Sequence, residues 1–357
     1  MQKHKSILFI VPYPLDKAPS QRFRVEQFFP LLTENSIYFR VESFFDQSVG
    51  SVLYKKGAFV SKFIGVVKGF FSRIFLVLFR LDQYDYVFIH REASPIGPPF
   101  FEWYISRIKR KKIIFDFDDA IWIPALESPF INWLKASWKI KHICRWSYKI
   151  TAGNQYLANY ARQYNSNVVV MPTCVDTEYI HNRIKYQHTE KIVVGWTGSH
   201  STLAYLKNIS VILQRLADLQ NVEILVICNK PPEFSFDNLS FIPWNKDTEV
   251  DDLLKMNIGI MPLQNDKWSE GKCGFKLIQY LALGIPAVAS PVGVNNKIID
   301  HGMNGFLCTS DDEWLDGLTQ LINDVTLRVK MGQKGREKIV EHYSVLANAG
   351  IFLSLFD

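Results

Sequence analysis

Short apolar runs recur along the chain, separated by stretches in which apolar residues return every three or four positions. In the first half the runs are SILFIV (6–11), IYFRVE (37–42), YVFIH (86–90), KIIFDF (112–117), KITAG (149–153) and NVVVMP (167–172). In the second half they are KIVVGW (191–196), VEILVI (222–227), LSFIPW (239–244), NIGIMP (257–262), PAVAS (286–290) and GFLC (305–308). Several lack polar alternation, the pattern of strands buried on both faces of a parallel sheet. Segments of helical length, such as Leu203–Leu219 and Phe275–Leu283, fill many of the gaps. Strand and helix alternating twice over predicts an α/β protein with two doubly wound, Rossmann-like domains.

The break between them falls in MPTCVDTEYIHNRIKYQHTEK (171–191), a polar, irregular stretch between two strands. The expected division is 1–175 for the first domain and 176–345 for the second, leaving an apolar segment, 346–357. Open α/β sheets bind ligands beyond the carboxyl ends of their strands. Two such sheets facing each other would frame a cleft for a small molecule.

A length of 357 residues suits two domains of ordinary size, and the composition is that of a soluble globular protein. A net charge of +6 suits an anionic ligand or an anionic membrane surface. Nothing in it calls for a nucleic-acid partner. The five cysteines are scattered singly, without a C-x-x-C pair, so neither a disulfide framework nor a zinc site is expected. That points to a reducing, cytoplasmic setting. MQKHKSILFIVPYP reads as a first buried strand rather than a signal peptide, because its apolar run is short and ends at Pro12. No apolar run is long enough to span a bilayer.

The candidate chemistry concentrates in EGKCGFKLIQYLALGIPAVASPVG (270–293). A loop leaves the strand NIGIMP, and a helix follows from Phe275. Gly271 and Gly274 therefore precede a helix start, where unpaired amides and the helix dipole favour an anion. Lys272 and Lys276 add point charges suited to a diphosphate. A plain strand–loop–helix connection with exposed lysines would read the same way. VVGWTGSHSTLAYL (193–206) repeats the arrangement: a strand runs into Gly198 and Ser199, with Ser201 and Thr202 before a helix. Ordinary helix capping by Ser201 or Thr202 is the competing reading there.

These stretches, with IIDHGMNGFLC and VVVMPTCVDTEYI, resemble the retaining glycosyltransferases of family 4, which have the GT-B fold. KITAGNQYLANYA, FDFDDAIW and VPYPLDKAPSQRFRVEQ add weaker likeness, so the resemblance covers nearly the whole chain. It implies transfer of a sugar from a nucleotide-sugar donor, UDP- or GDP-linked, to a glycan or lipid-linked acceptor, with retention at the anomeric carbon. It implies no cofactor and no metal. It also implies a role in cell-surface polysaccharide synthesis, at the inner face of the cytoplasmic membrane, and a last segment that crosses back to the first domain. In the family's E-x7-E motif the first Glu contacts the donor sugar and the second the ribose. Here Gln279 stands at the second position and Gly271 at the first, with Glu270 one residue earlier. Gln279 can still bond a ribose hydroxyl. The departure leaves open a catalytically inactive binding or regulatory subunit.

The resemblance assigns the acceptor to the first domain. Ser20, Arg22 and Arg24, after the first strand, could meet a phosphate or the acceptor; a solvated helix start is the alternative for Arg22 and for Arg24. His90 and Arg91 end a strand at the same sheet edge, although lone histidines are more often structural. Asp116, Asp118 and Asp119 end the strand KIIFDF, with Asp118 and Asp119 as the candidates for orienting an acceptor hydroxyl. A metal-binding D-x-D is the competing pattern. Finally, VSKFIGVVKGFFSRIFLVLFRL (60–81) is basic and apolar without an acid. It reads either as a core helix with a solvated basic edge or as an interfacial helix drawn to anionic lipid.

Overall fold

The computed structural model describes residues 5–47, 57, 59–124, 128–219 and 221–357. The chain divides into two compact units, one formed by Met1–Thr173 with Asn348–Asp357 and the other by Cys174–Ala347.

The first unit is built on a six-stranded, all-parallel sheet. Its strands are β1 (Ser6–Val11), β2 (Tyr38–Ser43), β3 (Tyr86–His90), β4 (Lys112–Phe117), β5 (Lys149–Ala152) and β6 (Val168–Val170), in the order β2-β1-β3-β4-β5-β6. Its helices are α1 (Pro19–Arg24), α2 (Phe29–Glu34), α3 (Phe59–Phe75), α4 (Phe100–Trp103), α5 (Pro129–Lys135), α6 (Lys139–Trp146) and α7 (Gln155–Arg162). Every residue of β3 is buried, and so are the last five of both β1 and β4, as continuous apolar runs demand.

The second unit repeats the plan. Strands β7 (Ile192–Gly198), β8 (Val222–Cys228), β9 (Leu239–Pro243), β10 (Ile258–Met261), β11 (Ala287–Ala289) and β12 (Gly305–Leu307) lie in the order β12-β11-β10-β7-β8-β9, again all parallel. Its helices are α8 (Leu203–Lys207), α9 (Ser210–Ala217), α10 (Glu249–Leu253), α11 (Lys267–Glu270), α12 (Phe275–Ala282), α13 (Asn295–Ile298), α14 (Asp311–Asn323) and α15 (Val325–His342). A last helix, α16 (Val345–Ser354), carries the chain from this unit into the first. There Phe352 stacks on Phe28 at 4.3 Å, and Phe356 lies 6.4 Å from Phe88.

Two expectations need correction. The helix expected over 203–219 is two helices: Asn208 and Ile209 interrupt it, and Ser210 Oγ donates to the Lys207 carbonyl at the joint. The loop expected over 264–274 contains α11, held by Asp266, whose carboxylate accepts from Ser269 N. The stretch 174–191, at the break between the two units, belongs to the second: Thr177, His181 and Gln187 are buried, and Arg336 donates to the Thr177 and His181 carbonyls.

Candidate functional site

In each sheet the strand order reverses at one place, and loops leaving the carboxyl ends on either side of such a place diverge to leave a crevice. In the first sheet it lies between β1 and β3; in the second, between β10 and β7. The residues singled out from the sequence fall mostly on those four loops.

In the first unit, Ser20 follows β1, His90 and Arg91 end β3, and Asp116, Asp118 and Asp119 end β4. Ser20 Oγ lies 3.0 Å from His90 Nε2, and His90 Nδ1 lies 2.7 Å from Asp116 Oδ2. Asp116 is fully buried, paired with the equally buried Arg24, and accepts from Thr151 Oγ1. Arg24 also donates to Thr151 Oγ1 at 3.0 Å and to the Met171 carbonyl. Arg24 is therefore an internal strut. Burial disfavours the Asp116 carboxylate, but Arg24 and His90 outweigh it and hold its pKa below the usual range.

Arg91 clamps the neighbouring pair. Its Nη2 reaches Asp118 at 2.8 Å and Asp119 at 2.7 Å, while Nε reaches Asp118 at 3.0 Å. Arg91 sits in the left-handed region with φ 63°, an uncommon conformation for a side chain of this size. Its amide is tied to the Asp116 carbonyl at 2.7 Å. Burial disfavours the Asp118 carboxylate, yet Arg91, His90 and a hydrogen bond from Ser20 together keep it ionised far below the usual range. Arg22 is buried, with its guanidinium 4.9 Å from the Phe23 ring centroid. The D-x-D carboxylates are thus engaged by the chain's own cations. Among the described residues, no group of three or more His, Cys, Asp or Glu is arranged to hold a metal ion.

In the second unit the two glycine turns meet. A Cβ on Gly198 would stand 2.9 Å from Lys276 Cε and 2.5 Å from the Trp196 ring. The side chain of Lys276 therefore crosses the end of β7, with Nζ 5.4 Å from the Trp196 ring centroid. Beside it, Ser199 Oγ bonds Ser201 Oγ at 2.8 Å, and Thr202 Oγ1 donates to the Ser199 carbonyl at 2.9 Å. Neither Ser201 nor Thr202 caps the helix start with its side chain in the way expected. Tyr280, packed against Gly259, donates no cap but accepts from Thr197 N at 2.9 Å and so ties α12 to the end of β7.

Gly274 precedes α12 with φ 67°, and the first helical bond runs from Ile278 N to the Gly274 carbonyl at 3.1 Å. The amides of Phe275 and Lys276 thus precede the helical ladder. Those of Gly271 and Lys272 turn back to the Trp268 and Ser269 carbonyls, at 3.1 and 3.0 Å, so the anion-facing turn is shorter than the sequence suggested. Lys272 Nζ lies 4.9 Å from the Trp268 ring centroid. Glu270 is half-buried at the end of α11, its backbone against Gly293. Gln279 is buried in α12, and its Nε2 has no hydrogen-bond partner. A buried amide left unpaired costs about 1–3 kcal/mol, so a ligand acceptor would relieve it.

Gly274 gives a test of this frame. Gly274→Ala forces a side chain into the left-handed region and sets a methyl 2.2 Å from Ile298 Cδ1. The expected cost is about 1–3 kcal/mol in urea unfolding, chiefly from the backbone, since the Ile298 tip can shift.

Two parallel doubly wound sheets, each with its candidate groups at a switch point, define the GT-B class. Residues 197–338, within the second unit, match the family of glycosyl transferases group 1. Over 100 residues the chain is 33% identical to N-acetyl-alpha-D-glucosaminyl L-malate synthase of Bacillus anthracis; the match covers 28% of this chain and 25% of that protein. Sucrose-phosphate synthase from Thermosynechococcus elongatus has the same fold, with a TM-score of 0.68 at 11% identity, covering 99% of this chain and 98% of that one. So does HepE of Anabaena, solved with UDP and glucose, with a TM-score of 0.65 at 14% identity and 99% of each chain covered.

Proposed function

We propose that this protein transfers a sugar from a nucleotide-sugar donor, UDP- or GDP-linked, to a glycan or lipid-linked acceptor, with retention of anomeric configuration. Cell-surface polysaccharide synthesis is the process such a reaction serves. The observation that carries the reading is Lys276 laid across Gly198, which makes one site of the two turns at the β7–β10 switch point. HepE, solved with UDP-glucose, is a relative in fold that holds such a donor.

In this reading Lys276 and the first amides of α12 receive the donor diphosphate, and Gln279 Nε2 bonds a ribose hydroxyl. As the sugar–phosphate bond breaks, negative charge grows on the departing diphosphate, and the lysine and amides stabilise it. The donor phosphate takes the acceptor proton, so neither a protein nucleophile nor a metal is invoked. Asp118 and Asp119, held by Arg91, orient the acceptor hydroxyl; Ser20 and His90 border the same edge.

Glu270 is assigned to the hydroxyls of the donor sugar. Charge-assisted bonds of this kind are about twice as strong as neutral ones. Glu270→Gln is expected to lower turnover at saturating donor by about tenfold, or roughly 1.4 kcal/mol, while nucleoside diphosphate affinity stays at the wild-type level. Unchanged turnover would remove Glu270 from the site.

Gly271, standing where the family places its first Glu, favours a second reading: a donor-binding subunit without catalysis. Hydrolysis of a panel of nucleotide sugars, with binding to the same panel as control, separates the two. Tight binding without any turnover, with or without added acceptors, would establish the second.

A further inference from the structure

The helix α3 is turned the opposite way from a core helix. Its inward face is Gly65, Gly69 and Arg73. Gly69 sits against the Phe44 ring so closely that a Cβ would stand 2.5 Å from Phe44 Cε1. Arg73 is fully buried and donates to two backbone carbonyls, Ala93 at 3.0 Å and Val11 at 2.9 Å. One glycine that permits close approach and one buried arginine fix the rotation of the helix. The apolar arc therefore faces out. Phe63, Val67, Phe71 and Ile74 are all exposed, with Phe63 and Phe71 at 69%, and so is Phe79 just beyond the helix.

The exposed apolar surface does not end with α3. Phe70 touches Phe101 of α4, with ring centroids 6.0 Å apart, and the adjacent Phe100 and Trp103 are exposed. Phe130 and Trp133 of α5 and Trp138 before α6 are exposed as well. The first and last of these three segments share one charge character, and Glu102 between them is buried. No Asp or Glu occurs from 59 to 81 or from 128 to 149, whereas Lys62, Lys68, Arg80, Lys135, Lys141 and Arg145 do.

We propose that this face of the first unit is a docking surface for a bilayer with anionic headgroups, with α3 lying in the plane of the interface. The proposal is independent of the reaction assigned above. Three features select lipid. Acid-free basic segments complement an anionic headgroup layer. An outward arc of Phe, Val and Ile can bury in the acyl boundary while flanking lysines stay in water. Exposed tryptophans fit the headgroup level, where an apolar ring with a polar edge is at home. No helix among the described residues is long and apolar enough to cross a membrane, and the inward arginine of α3 ties it to the protein, so the contact is peripheral.

The test is flotation of the full chain with vesicles of phosphatidylcholine alone and of phosphatidylcholine with phosphatidylglycerol. The wild type is expected to float with the mixed vesicles, more weakly at high salt and much less with phosphatidylcholine alone. Phe63→Glu with Phe71→Glu places charge on exposed positions and leaves the inward face untouched. That variant is expected to lose at least about tenfold in partitioning, with an unchanged melting temperature and unchanged nucleotide-sugar binding. Lys68→Glu with Arg80→Glu is expected to abolish the preference for phosphatidylglycerol. Wild-type protein that stays unbound with mixed vesicles would overturn the proposal, as would flotation that neither variant reduces. Dimers that the Phe63→Glu, Phe71→Glu variant converts to monomers, without vesicle binding by the wild type, would instead make the face a contact between copies of the chain.

Discussion

Replacing Lys276 with alanine is expected to weaken nucleotide-sugar binding by about ten- to a hundredfold while leaving the fold of the ligand-free protein intact. Hydrogen bonds to charged groups contribute about 1.5–3 kcal/mol, and each 1.4 kcal/mol is a factor of about ten in affinity. Lys276 is half-buried beside Gly198, so its ammonium would meet the proposed diphosphate in a setting less screened than open water. Its methylene stem packs on Gly198 and Trp196 at the end of β7, and Lys276 is only half-buried, so its loss is expected to cost the fold little. Lys272, at the turn after α11, sits over the Trp268 ring, and its alanine variant is expected to lose less. The check is titration calorimetry with UDP and UDP-glucose, then GDP and a GDP-sugar, on both single variants and the double. Wild-type affinity in all three would remove the lysines from the donor site.

The largest loss of stability is expected from Asp116→Ala. Asp116 neutralises Arg24 in a region where both side chains are fully buried, and it also receives His90 and Thr151. Removing the carboxylate leaves a guanidinium buried without its counter-charge, at a cost of about 3–5 kcal/mol. The same group predicts a pH dependence. Its folded pKa lies below the unfolded value, despite burial, because Arg24 and His90 favour the charged form. Its contribution is therefore fully present above the unfolded value of about 4 and is lost as pH falls through the folded pKa. Urea unfolding at neutral pH and at acid pH, with wild type and variant compared, should show the difference shrinking in acid. A constant difference would place the stabilisation elsewhere.

The strands were legible because parallel strands buried on both faces are written as continuous apolar runs; YVFIH and KIIFDF are β3 and β4 to the residue. So was the position of the candidate groups, since a loop after a buried strand ends at a known edge of the sheet. Partners were not legible. Arg24 and Asp116 are 92 residues apart, and nothing local distinguishes a buried strut from a solvated arginine at a helix start. The helix α11 is a single turn, too short for periodicity to register, and only the Asp266 cap betrays it. For α3 the periodicity revealed an apolar arc but not which side meets the protein. That is decided by Gly69 against Phe44 and by Arg73 reaching two carbonyls from other segments. The orphan Nε2 of Gln279 is likewise a property of packing, visible only once α12 is placed in the unit.

The donor site proposed at the β7–β10 switch point is tested most directly by a crystal structure of the protein with UDP-glucose or a GDP-sugar, whichever binds more tightly. The account predicts the diphosphate at the start of α12, within hydrogen-bond distance of Lys276 Nζ and of the backbone around Gly198, with a ribose hydroxyl on Gln279. A nucleotide bound elsewhere on the second unit, with Lys276 and Gln279 untouched, would contradict it.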